Sequence, residues 1–456
     1  LKNYFKGETL YNLGAFAERL VSGVAGLFIL SQLEVYKYGV YILIFSFYHL
    51  TAGLFLQPLQ EVVFNDLARL LAEGRETSAK KLYLENLKVR LSLALLLSIS
   101  LFFGAEFVAR YYDQDIANLF RLLSPLYLID VSYTSMRMFF RLKLKFGLIS
   151  FRPVIFKIVK LALIIIFIFG FNFGVREAII SYVGAALIAA ATLIPAFFKN
   201  YRPWRSLRPA PEPILLEIVK KHGKWPIFGE TLSGLVSSIQ PWLIKFFVST
   251  EGVALFAVAE NLYGTVKTFF PASTLGALIP REVANRERAA EILIRGSKYL
   301  TIVAGVMTLG GFLFVPPLVR WMLPHYIDSL KLYQILLLML PIFSLRTISA
   351  TFLLVLRRQK FLFLIQVVKI LSELLIPIPL LYFWGLTGMP LERIFSSIII
   401  TALMFYYLLH YEFAIGWPRS LFTFDRRDKM FFKKFFARSY SSLKDLRGSL
   451  STLFFD

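Results

Sequence analysis

Lys157 and Lys160 stand three residues apart in an apolar run, on one face of any helix that carries them, with no acid within a turn. Two ammonium groups facing lipid would be very costly, so that face should look onto water or an anionic ligand, or the lysines should give up their charge. Six further cations, Arg19, Arg121, Lys245, Lys267, Arg346 and Lys369, also fall inside apolar runs. The acids there, Glu18, Glu61, Asp130, Glu230, Glu260 and Glu373, are fewer. A cavity rich in cations, with a few acids for gating or coupling, favours an anionic substrate. Plainer readings stand beside this one. Arg19 adjoins Glu18, Lys369 precedes Glu373 by one turn, and Lys245 and Lys267 could snorkel to an interface.

Other chemistries are thinly represented. With no cysteine, disulfides, thiolate metal sites and cysteine nucleophiles are excluded. His49, His222, His325 and His410 are far apart and form no ligand pair, so no metal or cofactor is expected. His49 and His410 could relay protons, although a lone histidine within a span is more often simply packed. Glu18 and Glu230 are acids at matched positions, suited to proton or sodium coupling or to a plain buried hydrogen bond.

The elements that must hold these residues are membrane spans. The chain has 456 residues, 57% hydrophobic and only 18% charged, with mean hydropathy +0.64. A soluble domain carries about a quarter charged residues. Apolar runs of spanning length fall near 10–33, 35–63, 89–109, 116–139, 149–170, 176–198, 225–248, 252–280, 299–322, 330–356, 361–384 and 392–414. The reading is an all-α integral membrane protein of about twelve transmembrane helices. The first run carries charges and lacks a suitable cleavage site, so it reads as a span and not as a leader. Pro125, Pro241, Pro271, Pro341, Pro377 and Pro379 should kink their helices.

Charge sets the orientation. Net charge is +22, which in a soluble protein would suggest nucleic acid but here suits the anionic inner leaflet. Of the 51 Lys and Arg, 37 fall in segments that are cytoplasmic if the N-terminus is inside. Only six, Lys37, Arg110, Arg176, Arg320, Lys331 and Arg393, fall in the outer loops. Both termini are therefore placed inside.

The chain also repeats itself. Phe16-Ala-Glu-Arg-Leu20 aligns with Phe228-Gly-Glu-Thr-Leu232, Pro58-Leu-Gln-Glu-Val62 with Pro280-Arg-Glu-Val283, and Lys145-Phe146 with Lys360-Phe361. Asp130 falls opposite Arg346, and Gly170 opposite Gly385. Two parallel six-helix lobes follow, 1–198 and 225–415, related by an axis along the membrane normal. Asp130 and Arg346 could then pair across the lobes in one state, or each be satisfied within its own lobe. Residues 199–224 read as a basic, proline-rich cytoplasmic linker with a short surface helix at 214–221. Residues 416–456 read as a basic cytoplasmic tail whose Phe431, Phe432, Phe435 and Phe436 suit an amphipathic helix on anionic inner-leaflet lipids.

Glu34-Val-Tyr-Lys-Tyr-Gly-Val-Tyr41, its echo at Glu251–Phe256, and the glycine turns at Gly170–Gly174 and Gly385–Gly388 resemble the Wzx-type polysaccharide transporters, or O-antigen flippases. These belong to the multidrug/oligosaccharidyl-lipid/polysaccharide (MOP) exporter superfamily. The resemblance covers most of residues 1–415 and implies a MATE-like architecture. It also implies a flippase that moves polyprenyl-pyrophosphate-linked oligosaccharide across a prokaryotic inner membrane by alternating access. A monomer suffices for this, alongside polysaccharide assembly machinery. Lipid II flippases usually carry two further helices, and drug-exporting MATE members have acid-dominated cavities, against the eight cations here. The alternatives are a MATE-like cation-coupled antiporter and a membrane glycosyltransferase or polymerase. The short outer loops leave little room for such an enzyme's acceptor site.

Overall fold

The computed structural model describes residues 21, 23–110, 114–220, 224–270, 279, 286–415 and 423. Glu18, Arg19, Pro271, the Pro280–Val283 repeat match and the phenylalanine-rich tail lie outside these residues, as do the side chains of Glu61 and Glu230. All regular structure among the described residues is helical. In chain order the helices are α1 (Gly23–Gln32), α2 (Val35–Phe55), α3 (Pro58–Ala72), α4 (Glu76–Ala109), α5 (Gln114–Leu123), α6 (Leu126–Leu142), α7 (Phe146–Gly170), α8 (Val175–Ala191) and α9 (Ile194–Arg205). They continue with α10 (Leu215–Ile218), α11 (Lys224–Phe247), α12 (Thr250–Thr268), α13 (Arg286–Met322), α14 (Ser329–Leu337), α15 (Met339–Val355), α16 (Gln359–Leu375), α17 (Pro377–Trp384) and α18 (Gly388–Tyr407). Among the described residues five helical stretches are long and apolar enough to cross a membrane, the run Gln359–Glu412 over α16–α18 counting as one, and up to seven if each bent pair is one span.

Proline explains where the runs break. A ring at position i removes one amide and crowds the carbonyl at i−4, so the helix parts upstream of it. The run 116–139 divides at Ser124–Pro125 into α5 and α6. The run 330–356 divides at Leu338, three residues before Pro341, and bends by 42° there. Pro341 itself sits inside the first turn of α15, so the expected kink is displaced towards Leu337, its i−4 residue. Pro377 opens α17 after a break at Ile376. Pro241, by contrast, stays within the continuous α11; membrane helices can re-satisfy the freed carbonyl locally.

Both breaks are closed in the same way. Ser98 Oγ on α4 donates to the Ser124 carbonyl at 2.9 Å, and Thr308 Oγ1 on α13 donates to the Leu337 carbonyl at 3.3 Å. Helices α6 and α15 are each 17 residues long, and both bounds of the second lie 213 positions beyond those of the first. Each ends on a left-handed residue, Leu144 (φ 54°) and Arg357 (φ 58°), again 213 apart. The amides of Lys145 and Arg358 then reach back to the carbonyls of Phe140 and Leu353, which is the Schellman closure. In this 213-residue register Asp130 stands opposite Phe343 and Lys145 opposite Arg358, so the letter matches Asp130–Arg346 and Lys145–Lys360 are displaced by three and two positions.

The chain forms two compact units. The first comprises Leu1–Tyr263, Leu313–Leu336 and Ile370–Glu392; the second comprises Gly264–Phe312, Leu337–Lys369 and Arg393–Asp456. In the first, a core of Leu67, Leu82, Tyr83, Phe139, Phe140 and Trp204 gathers where α3, α4, α6 and α9 meet. In the second, Leu293, Ile348, Phe352, Leu353 and Leu408 do the same for α13, α15 and the end of α18. Phe352 and Leu353 are the repeat partners of Phe139 and Phe140, and all four are fully buried.

The linker departs from expectation at its start. Instead of an extended connector from residue 199, α9 runs on to Arg205 and buries Trp204 against Tyr83 and Phe139, with ring centroids 6.0 and 5.3 Å away. The following segment is strapped to α4. Lys80 Nζ donates to the Leu207 carbonyl at 2.6 Å, and Glu85 accepts the amides of Ile214 and Leu215 at 3.1 and 2.9 Å. The short helix expected at 214–221 is the single turn α10.

Candidate functional site

Four helices of the first unit bring chemistry-bearing side chains together. Helix α2 contributes Tyr41, Phe45, Tyr48 and His49 from one stripe at helical spacing. Helix α6 contributes Tyr127, Asp130 and Tyr133; α7 contributes Arg152, Phe156 and Lys160 at i, i+4, i+8; and α8 contributes Tyr182. Helices α7 and α8 form an antiparallel pair across the Phe171–Gly174 turn, where Glu177 accepts the Gly174 amide at 2.9 Å.

Asp130 is the centre of the polar network. Its Oδ2 accepts from the Tyr48 hydroxyl at 2.5 Å, and its Oδ1 lies 3.9 Å from an Arg152 nitrogen. The Asp130 carbonyl accepts from Thr134 Oγ1 at 2.7 Å, and Thr134 in turn accepts from Arg90 at 2.8 Å. Tyr127 and Thr51 share a short hydroxyl contact beside this network. A half-buried carboxylate gains from such donors, and a cation close by lowers the cost of its charge.

The cations lie against aromatic faces. The Arg152 guanidinium sits 3.7 Å from the Tyr133 ring centre and 5.0 Å from that of Phe156. Lys160 Nζ lies 5.1 Å from the Tyr182 ring, and Lys157 Nζ lies 5.6 Å from that of Phe156. Tyr182 also packs on Phe45 and Phe156, at 4.6 and 5.1 Å. Lys157, Lys160 and Tyr182 are half-exposed and His49 is exposed, whereas Tyr41, Phe45 and Tyr48 are buried. The arrangement offers a half-exposed face carrying Lys157, Lys160 and Tyr182, backed by the largely buried Arg152 and by Asp130. Guanidinium and ammonium groups bind phosphoryl and carboxylate oxygens, and ring faces accept the C–H surface of sugars or the chain of a lipid.

The remaining sequence-selected residues are dispersed. Arg121 lies in the last turn of α5, bonded to Asn118 at 3.0 Å and to Glu106. Lys245 is on α11, Glu260 on α12 and Glu373 on α16, all half-exposed and all in the first unit. In the second unit Lys267 Nζ lies 4.1 Å from the Phe343 ring, and Arg346 donates to Ser397 at 3.4 Å. Lys369, half-exposed on α16, also belongs to that unit. Asp130 and Arg346 each have bonding partners inside their own unit.

Two basic residues need reassignment. The charge count treats Arg152 and Arg90 only as members of basic segments, whereas the fold engages both side chains in its interior. The Arg152 side chain is only 12% exposed. Arg90 is 2% exposed, and its Nε donates at 3.1 Å to the carbonyl of Leu56, the residue at the α2–α3 break. The signal for Arg152 is its spacing: it stands one and two turns before Phe156 and Lys160.

At the end of the first unit where α1 joins α2, three turns pack together. Gly39 on α2 fits directly against Thr250, and any Cβ there would overlap the Thr250 carbonyl. Tyr326 donates to the Leu33 carbonyl at 2.8 Å and meets the Tyr38 ring edge-on at 5.9 Å. Further along α2, Gly53 faces Gly234 of α11 in close backbone approach.

No family model and no curated protein matches the chain. Among solved structures, the inward-facing conformation of a multidrug resistance MATE family transporter of the MOP superfamily aligns with TM-score 0.68 and 15% identity, covering 88% of this chain and 93% of that one. The lipid II flippase MurJ, in an inward closed conformation, aligns with TM-score 0.69 and 13% identity, covering 88% and 87%. The outward-facing conformation of a multidrug resistance MATE family transporter gives TM-score 0.60 and 16% identity, covering 88% and 94%. These transporters and this flippase share with the chain an architecture and little sequence. The protein is an all-helical, multi-pass membrane protein with the fold common to MATE transporters and the MurJ flippase.

Proposed function

We propose that the protein is a flippase for polyprenyl-pyrophosphate-linked oligosaccharide, moving its cargo from the cytoplasmic to the outer leaflet of a prokaryotic inner membrane. The reading is carried by the half-exposed pair Lys157 and Lys160 beside Tyr182, with Arg152 largely buried behind them and Asp130 as the acid of the cluster. Cations to hold phosphoryl oxygens and rings to hold sugar or prenyl surface are what such a cargo requires. The fold likeness to a protein named as a lipid II flippase supports it. We take the chain to cross the membrane twelve times with both termini inside, in the lobes 1–198 and 225–415. Asp130, with Tyr48, would bias the two access states, and the Gly39–Thr250 seam would be the outward gate. Glu18, Glu230, Glu260 and Glu373 remain candidates for coupling to protons or sodium, and Arg19, Arg121, Arg346, Lys369, Lys267 and Lys245 for contact with cargo. Anionic inner-leaflet lipids and the polysaccharide assembly machinery are the proposed partners.

A MATE-like antiporter is the second reading, favoured by the half-buried, hydrogen-bonded Asp130 and by the MATE likeness. The two separate in a host lacking its own flippase. Expression should make lipid-linked oligosaccharide accessible from outside the inner membrane, and Arg152→Gln with Lys160→Ala should abolish this without loss of membrane insertion. Exposure that survives both changes would remove this face from the mechanism. No exposure of any tested glycan, together with export of organic cations, would establish the antiporter instead.

A further inference from the structure

The six cations of the outer loops are few, yet two of them converge. Lys37 at the start of α2 and Arg176 at the start of α8 line one open cavity of about 700 Å³, and Arg121 of α5 completes its basic wall. A fold that keeps positive charge off this side of the membrane has placed three cations around a single space. The Arg121 guanidinium is oriented rather than loose, since Asn118 accepts from one nitrogen at 3.0 Å and Glu106 from another. Phe102 of α4 and Leu119 of α5 add apolar surface to the same lining. Three acids stand near the rim. Glu34 pairs with Lys37 at 3.4 Å, Glu106 pairs with Arg121, and Glu177 caps the Gly174 amide. The side chains of Glu34 and Glu106 are 71% and 69% exposed, against 33% for Arg121. Lys37 is also 52% exposed, but all three cations line the cavity and none of the three acids does, an arrangement that suits an incoming anion.

We propose that this cavity binds a phosphoryl oxyanion carried on an amphiphile, with the charged group on Lys37, Arg121 and Arg176 and the first part of its chain on Phe102 and Leu119. The site is separate from the Arg152–Lys160 face. Only its description as outward-facing rests on the orientation proposed above; binding does not.

The test uses the purified full-length protein in phosphatidylcholine nanodiscs. It is titrated with dioctanoyl phosphatidic acid, with inorganic pyrophosphate, and with dioctanoyl phosphatidylcholine as control, and binding is read by native mass spectrometry. Saturable binding of phosphatidic acid is expected, weakened about tenfold by Arg121→Gln and by Arg176→Gln, because each removes a charge-assisted hydrogen bond. Glu106→Gln should tighten it, since a competing carboxylate becomes a neutral acceptor. Lys331→Gln, a cation that lines neither site, should leave it unchanged. Pyrophosphate binding with the same variant pattern would make the phosphoryl group alone sufficient; its absence would assign the remaining affinity to the chain. Equal binding to wild type and Arg121→Gln, tightening that fails to appear with Glu106→Gln, or no saturable binding of either probe overturns the proposal.

Discussion

Arg90 shows how a single side chain can be misread from composition and yet decide local stability. It lies in a stretch where six cations crowd within 65–90, and a count of basic residues treats it as solvated. In the fold it is buried, with donors committed to Leu56, Gln60 and Thr134. Arg90→Met should cost about 2–3 kcal/mol in thermal unfolding in detergent, because a buried carbonyl and hydroxyl lose a charged partner. Arg90→Lys should recover only part of it, having no planar fork to serve several acceptors. Asp130 was legible by its rank among so few intramembrane acids, but its partner Tyr48 was not, since nothing in the letters aligns α2 with α6. Asp130→Asn should leave the Tyr48 hydroxyl an acceptor, keep expression intact, and shift the balance of the two access states, read by the labelling of introduced cysteines. An unchanged labelling pattern would remove Asp130 from gating. Tyr326, outside the spans, has its phenol held well above the usual range by burial. It therefore remains a neutral donor to Leu33 across physiological pH, and any pH response of transport must arise elsewhere.

At the scale of elements, hydropathy located the runs and proline located most of the breaks. What it could not supply was their direction. Pro341 acts on the carbonyl four residues back, so the bend appears at Leu338. Nor could letters show that Ser98 and Thr308 close the two breaks, because a hydroxyl on a neighbouring helix has no periodic signature. Ser98→Ala and Thr308→Val should each cost about 1 kcal/mol in unfolding, and the double variant about the sum, since the two sites share no partner. A double-variant cost well above the sum would mean that the breaks are coupled. Leu144 holds a left-handed conformation that suits glycine better. Leu144→Gly should stabilise the α6–α7 turn by up to about 1 kcal/mol, the balance of a side-chain strain of about 1–2 and glycine's own entropic cost. Gly39→Val should have the opposite character: its side chain cannot enter beside Thr250, so the seam must part. Cysteines introduced at Leu33 and Thr250 should then label faster from the outer side.

For the whole molecule, the absence of cysteine gives a clean background for such labelling. The charge asymmetry predicts that a cysteine at Lys145 is reached only from the cytoplasmic side and one at Lys331 only from outside; the reverse pattern would invert the topology. The class of fold was legible because a bilayer imposes lengths and charges that a linear sequence must display. The site was less so. Lys157 and Lys160 announced themselves by their spacing, whereas Arg152 and Tyr182 acquire meaning only when α7 and α8 fold back on one another.

The bend between α2 and α3 has a mechanical consequence. Its free carbonyl is held by Arg90, which is anchored in turn on α4 and bonded to α6 through Thr134. A bend fastened on three sides is a crank and not a hinge. If the Gly39 end of α2 moves, Arg90 ties that movement to α3, α4 and α6 together, so these four helices should shift as one body.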